Sequence, residues 1–402
     1  MADIGVFQPL FPEERLLGPL LDLAAGLLAQ SHRLAAFAGQ PLALALAPRL
    51  RAMNSYYTNK IEGQHTRPLD IDRALANQYD ADAQQARKQR LAVAHMAAES
   101  DLEARVAGLA RAELFAPTLI GTIHADLYQR LPEADRVTDE GDDRVEPGVW
   151  RSRPVTAGRH LAPPPEAVPA LLTAWGRRYG ELPGLEQALI GLACAHHRLL
   201  WIHPFRDGNG RAARLHAHLV LHALGLTQGL WSPMRGLARN QETYYARLNN
   251  ADMARRHDHD GRGPLSQEEL VAFAAFFLEI ALDQASFMAG RLDLIGLRER
   301  LADLLTWLAA HPWRMGGEKS LIRLEALESV PYLAVAVPLA RGRFMAMTGL
   351  PERTARRLLA SLLDWGLLAS SSSRASVAFA LPLASLRFLF PRLWPEAEVD
   401  AV

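Results

Sequence analysis

The chain has 402 residues, more than one hydrophobic core usually serves, so two or three domains are expected. Lys+Arg and Asp+Glu both number 44; with no net charge, no global field draws the chain to nucleic acid or a membrane, and any such affinity has to be local. Cys194 is the only cysteine, which excludes an internal disulfide and a cysteine-built zinc site and fits a reducing compartment.

Hydrophobic residues make up 49% of the chain, enough for folded cores, and Ala and Leu recur at three- and four-residue spacings. That periodicity predicts a mainly α protein. The start, MADIGVFQPLFPEERL, lacks a basic segment followed by an apolar run, so no signal peptide is expected and the cytoplasm is the expected location. A first, helical region covers 1–105, with Pro12 placed to start its first helix. FAGQPLALALAPRL is apolar, but Pro41 and Pro48 bound it far short of a membrane span. Further on, NSYYTNKIEGQ (Asn54–Gln64) puts Thr58 and Glu62 four apart on one helix face, with Gly63 placed to end the helix. By itself this is a solvated helix end.

The second region, 106–290, holds helical stretches such as APTLIGTIHADLYQRL and EQALIGLACAHHRLLWI. Between them PGVWRSRPVTAGRHLAPPP (Pro147–Pro165) has short β-prone runs around Ala157-Gly158 and ends in a proline triplet. A small β-hairpin and an ordinary surface loop both fit this segment.

IHPFRDGNGRAAR (Ile202–Arg214) is poor core material. One helix should end near His203, because Pro204 disfavours helical backbone before it, and the next should open at about Arg211. Gly208 and Gly210 permit backbone angles closed to other residues, so their amides, with that of Asn209, can form an anion-binding nest at a helix N-terminus. Arg211 and Arg214 add fixed positive charge on the first turn. Asp207 makes sense beside phosphate if a divalent cation stands between them, as magnesium does. His203 is a candidate base. Base, metal ligand, anion nest and arginine clamp together describe phosphoryl or nucleotidyl transfer. Neither a P-loop nor a dinucleotide-binding glycine pattern is present here; RMGGEKS at 314–320 has the wrong spacing for a P-loop and is expected to be a loop.

Several polar residues invite a plainer reading. His196, His197, His216 and His218 have no carboxylate at ligand spacing and are expected to pack or to support neighbours. RRHDHDGRG (Arg255–Gly263) suits a solvated loop, and Cys194 an inert core position.

The third region, 291–402, contains FMAMTGLPERTARRLLASLLDWGLLASSSSRASVAFALP. A helix meets a turn at Gly349-Leu350-Pro351; a second helix, Glu352 to Trp365, carries Arg353, Arg356 and Arg357; two strands follow around a Ser-rich turn. This is a winged helix-turn-helix pattern. From residue 300 onward there are 12 Lys+Arg and 9 Asp+Glu, a weak excess for a DNA reader, so contact with DNA and contact with protein both remain open. Trp307, Trp313 and Trp365 are expected to pack inside this region.

HPFRDGNGRAAR matches the Fic-domain signature HPFx[DE]GNGRxxR at every fixed position, and residues 106–290 resemble the Fic family. The resemblance implies a helical Fic core with the hairpin as its flap, ATP with Mg2+, and transfer of AMP to a Ser, Thr or Tyr hydroxyl of a target protein. It implies His203 as the base, Asp207 as the magnesium ligand, and Gly208, Asn209 and Gly210 at the phosphates. Arg211 would neutralise charge and Arg214 hold the γ-phosphate. Phe205, within the nucleotide-binding run, would anchor the loop. The flap, Val149 to Ala162, would align the target, with Tyr245 and Asp252 near the nucleoside. Gly210 matters because a lysine there marks relatives that transfer phosphate. Beside such a core, Thr58, Glu62 and Gly63 resemble the family's inhibitory helix, [ST]xxxE[GN], with Glu62 pairing Arg214. The implied partners are an unidentified target protein, the chain itself as substrate and a homodimer, with DNA through the C-terminal region and no membrane. Two other functions share these residues: a DNA-binding regulator using the Fic core as a nucleotide sensor, and a de-AMPylating hydrolase.

Overall fold

The computed structural model describes residues 3–138, 143–311 and 322–394. RMGGEKS and Trp313 lie outside the described residues. The chain forms two compact units. One takes Met1–Arg33, Asn54–Thr66 and Asp70–Ser286; the other takes Leu34–Met53, Arg67–Leu69 and Phe287–Val402. The expected 1–105 and 106–290 regions therefore share most of one unit, while 34–53 and 67–69 group with the C-terminal residues.

Helices dominate, as the periodicity predicts. In chain order they are α1 (Gly18–Ala35), α2 (Pro41–Ile61), α3 (Pro68–Leu75), α4 (Ala83–Val106), α5 (Arg111–Leu114), α6 (Pro117–Tyr128), α7 (Val168–Gly180), α8 (Leu185–Ile202), α9 (Asn209–Ala223), α10 (Met234–Arg239), α11 (Gln241–Ala251) and α12 (Gln267–Arg291). Pro12 does not start α1; one 3-10 turn, Glu14–Leu16, intervenes. Pro48 does not end a helix either. It sits inside α2, which runs on to Ile61.

The core of the first unit is built around α8, in which every residue from Ala188 to Leu199 is buried. A helix buried on all sides must be small or apolar all round, and LACAHHRLL supplies this except at its polar members, which find partners. α8 packs against α7 and α9, and α9 also packs against α4 and α6. Gly176 on α7 is required by packing: a Cβ there would stand 2.5 Å from the Phe115 carbonyl oxygen after α5. Asp82 caps α4, its side chain accepting the Gln85 N–H at 2.9 Å. The segment after Pro147 is a hairpin. β1 (Thr156–Ala157) and β2 (His160–Leu161) pair antiparallel, Thr156 with Leu161 and Ala157 with His160, and Gly158 takes φ +60 in the turn. α12 is long and apolar enough to cross a membrane by length and composition alone, yet 56% of its most apolar window is buried inside the protein.

In the second unit, α13 (Leu294–Ala310) and α14 (Val330–Val335) precede α15 (Arg341–Met347), a turn at Gly349 with φ +65, and α16 (Glu352–Trp365). β3 (Leu368–Ala369) and β4 (Ala378–Phe379) follow as an antiparallel pair, then α17 (Leu386–Leu389). α16 buries Ala355, Leu358, Leu359 and Leu362 and exposes Arg353, Arg356 and Arg357. Trp307 packs as expected, its ring 5.4 Å from that of Phe388; Trp365 is half-buried.

Candidate active site

The loop between α8 and α9 is held from several sides. α8 stops at Ile202, and His203 turns the chain in the left-handed conformation, φ +49. Gly208, φ +76, opens α9 at Asn209, two residues before the expected start. The Asn209 side chain ties the loop to itself: its amide donates to the Phe205 carbonyl at 3.0 Å, and its oxygen accepts the Phe205 N–H at 2.8 Å. Asn209 can therefore meet an anion only through its backbone amide. Phe205 is fully buried, stacked on His124 at 3.7 Å and 7° and near Trp150 at 4.9 Å. The placing of Phe205 among nucleotide contacts is corrected: its side chain has no surface to offer and is the loop's apolar anchor. His124 reaches the Asp207 carbonyl at 3.1 Å and accepts the Gly148 N–H at 2.9 Å. Arg151, at the root of the hairpin, donates to the carbonyls of His203 at 2.7 Å and Pro163 at 2.5 Å.

This loop borders a cavity of about 410 Å³ lined by His203, Gly210, Arg214, Glu62, Tyr245 and the hairpin's His160, among others. Arg214 is buried at 1% exposure and is held by the end of α2. Its Nε donates to Thr58 Oγ1 at 2.8 Å, and Nη2 donates to the Thr58 carbonyl at 3.2 Å and to the Glu62 carboxylate. Gly210 is what lets Glu62 in, since a Cβ on it would collide with the carboxylate. The tip of α2 is fixed in turn. Gly63 takes φ +72, the Tyr245 hydroxyl donates to the Ile61 carbonyl at 2.8 Å, and Gln241 donates to the same oxygen at 3.2 Å.

Burial pushes the His203 imidazole down to about 4 from its ordinary 6.5, so it is neutral near neutral pH and able to accept a proton. Asp207 and Arg211 pair at 3.3 Å, and Arg211 also donates to the Tyr128 hydroxyl at 2.9 Å. The structure thus gathers His203, Gly210, Arg214, Glu62 and Tyr245 on one cavity. Asp207 and Arg211 form the adjoining charged rim of the loop, and Phe205 and Asn209 form its frame. Asp252 also lines the cavity, 3.2 Å from His197 and 3.5 Å from His160.

Sequence reasoning misses His124, Tyr128, Arg151, His160 and Gln241. Only the i, i+4 pair His124 and Tyr128 in APTLIGTIHADLYQRL carries a local hint. His196 and His216 behave as packing residues, bonded to Tyr244 Oη at 2.7 Å and the Leu114 carbonyl at 2.8 Å. Burial raises the Cys194 thiol to about 12, leaving it inert. Residues 255–263 form a loop, but it is not wholly solvated: Asp260 is buried and accepts from Ser266 Oγ at 3.0 Å and the Glu268 N–H at 2.8 Å.

Residues 114–221, which include α6, the hairpin, α8, the loop after it and all but the last two residues of α9, match the family model of the Fic/DOC family. Over this stretch the chain is similar to the Fic domain. Protein adenylyltransferase Fic of Nematostella vectensis is 31% identical over 109 residues, 27% of this chain and 24% of that protein. Protein adenylyltransferase fic-1 of Caenorhabditis elegans is 34% identical over 116 residues, 28% of this chain and 21% of that protein. The chain thus spans about a quarter of the length of the curated relatives it matches. Beyond the Fic domain itself, a Fic family protein from Desulfovibrio desulfuricans G20 shares the fold across 91% of this chain and 97% of its own, with a TM-score of 0.52 at 18% identity.

Proposed function

We propose that this chain is a protein adenylyltransferase that moves AMP from ATP to a Ser, Thr or Tyr hydroxyl of a target protein, and that the end of α2 holds it off. The observation that carries this reading is Arg214, pinned by Thr58 and Glu62 on a cavity shared with a neutral His203. The relatives' names, the glycine at position 210 and the loop at the N-terminus of α9 support nucleotidyl transfer over other phosphate chemistry.

His203 takes the proton of the target hydroxyl; the hydroxyl oxygen attacks the α-phosphorus of ATP. The bond between the α-phosphorus and its bridging oxygen breaks, and pyrophosphate leaves with that electron pair. The amides at the start of α9 hold phosphate oxygens in the direction of the helix dipole. Arg214 grips the γ-phosphate once Glu62 releases it, and the edge of the hairpin orients the target as an added strand. The Asp207 carboxylate, beside Arg211 at the loop, is the hard oxygen donor that magnesium takes together with phosphate oxygens and water; when bound, the ion supplies positive charge to the triphosphate. A single, buried cysteine supports a cytoplasmic setting.

Mass spectrometry of the Glu62→Gly chain incubated with ATP and cell lysate tests this reading. AMP adducts on hydroxyl side chains, missing after His203→Ala, are expected; unmodified chain and unmodified lysate proteins in both samples refute it. A second reading, removal of AMP from a modified target, draws on the presence of Glu62 and His203 on the same cavity, where the carboxylate could orient water. Under that reading AMP release is lost in Glu62→Gly; under the first, transfer rises.

A further inference from the structure

α4 and α9 face each other with histidine and carboxylate side chains, within the same unit as the active-site loop. On α4, His95, Glu99 and Glu103 recur every four residues and form one stripe; on α9, His218 and His222 do the same. His95, Glu99, Glu103 and His218 are all buried. The donor atoms of Glu99, Glu103 and His218 lie within 4.8 Å of one another. His218 Nε2 is 2.9 Å from Glu103 Oε1 and 3.7 Å from Glu99 Oε1. His222 Nδ1 is 3.8 Å from Glu103 Oε1, and His95 Nδ1 is 3.7 Å from Glu99 Oε2. Ligand atoms around a tetrahedral zinc ion, at its usual bond lengths, stand about 3.3 Å apart; the donors of Glu99, Glu103 and His218 lie near that spacing, and His95 Nδ1 approaches the group from the Glu99 side.

An acid–histidine cluster needs no ion if hydrogen bonds satisfy every member. Here one member argues otherwise. His95 is 1% exposed, yet among the described residues neither of its ring nitrogens has a hydrogen-bond partner, and Nδ1 lies 3.7 Å from the Glu99 carboxylate. A buried imidazole without a hydrogen bond is costly to keep, and a cation between it and the carboxylates removes that cost. Two carboxylates one helical turn apart in the interior likewise favour a shared positive charge. His222, whose side chain is 26% exposed, gives the cluster an outlet toward solvent through which an ion can enter.

We propose that His95, Glu99, Glu103 and His218 form a binding site for a divalent transition-metal ion such as zinc, with His222 at its entrance. Imidazole nitrogens and carboxylate oxygens from facing helices suit zinc and its neighbours, whereas magnesium prefers oxygen donors alone. The ion binds as His218 gives up its direct bond to Glu103, both lone pairs turning to the metal. The site stands one helical turn along α9 from Arg214. Asn54, one turn along α2 from Thr58, donates to Glu99 at 2.9 Å. An ion there braces both partners of the Arg214–Thr58 contact. It is separate from the magnesium position at Asp207 and needs no nucleotide.

The test uses the untagged 402-residue chain, stripped with chelator, free of nucleotide and titrated with Zn2+ by calorimetry. One tight equivalent per chain is expected, retained in Asp207→Asn and weakened about 100-fold in His95→Asn and in Glu103→Gln. Circular dichroism shows whether those variants keep their helices. Should either unfold, zinc-edge anomalous scattering from crystals of the unaltered chain decides instead, with a peak expected between His95 Nδ1 and His218 Nε2. Tight uptake that is equal in His95→Asn, Glu103→Gln and the unaltered chain, or an anomalous peak only elsewhere, overturns the site.

Discussion

Helix α9 carries two proposed sites, and the two are assembled differently. At its N-terminal end the proposed base, the carboxylate, the glycines and both arginines come from the twelve residues His203 to Arg214. Further along, His218 meets Glu103, 115 positions away, only because α4 packs against α9. The Arg214 lock lies between these extremes: half of it is in the loop's own run, and half arrives on α2, 152 positions from Glu62 to Arg214. A site made from one contiguous segment has its geometry set by local turns and helix phase. A site made from two helix faces is set by the packing of the core.

The comparison breaks most sharply at His203. His203→Ala in the Glu62→Gly background should lower the initial rate of AMP transfer by about 10²–10⁴-fold, measured with α-labelled ATP; an unchanged rate would remove the base from the loop end of α9. A smaller effect comes with pH. Because the folded His203 titrates near 4 and its ordinary value is 6.5, the neutral, proton-accepting form is lost only as pH falls through about 4. The transfer rate of Glu62→Gly should therefore hold nearly level from pH 7 to about pH 5, where a histidine with an ordinary pKa would already have lost most of it. Stability runs differently over the same range. His95, His196 and His216 are pushed down by burial to about 3, 3 and 4, so the unfolded chain binds more protons below pH 6.5. Their contribution is complete above that pH and is lost as pH falls toward 4; melting temperatures that rise on acidification would contradict it. The smallest effect is expected at Tyr245→Phe, which deletes one hydrogen bond to the Ile61 carbonyl at the tip of α2. A loss of about 1 kcal/mol from the lock should raise transfer by roughly five-fold, and a fall would mean that Tyr245 serves the nucleotide instead.

The same contrast explains what the sequence discloses. The helical class, the hairpin around Gly158, the helix–turn–helix around Gly349 and the loop at 203–210 are all written in local periodicity and turn chemistry. The Thr58, Glu62 and Gly63 spacing is visible too, but its partner becomes apparent only through resemblance to Fic sequences. Phe205 anchors the loop as its motif position implies, but that position alone does not separate an anchor from a nucleotide contact; its burial against His124 does. Pro48 misleads as a boundary because a helix long enough elsewhere tolerates one proline inside it. His218 was expected only to pack or support neighbours because its carboxylates are absent from nearby sequence. Arg151 and Gln241 leave no signal, since each acts through a backbone carbonyl that any residue at the partner position would supply.

The account rests on Arg214 being withheld by Glu62. A partly buried, charge-assisted pair of this kind is worth about 2–3 kcal/mol, or on the order of 10² in the population of the released state. The direct measurement is label transfer from α-labelled ATP to protein by the 402-residue chain, unaltered and as Glu62→Gly, side by side. A rise of about 10²-fold in the variant is predicted; equal transfer by the two proteins would contradict the lock.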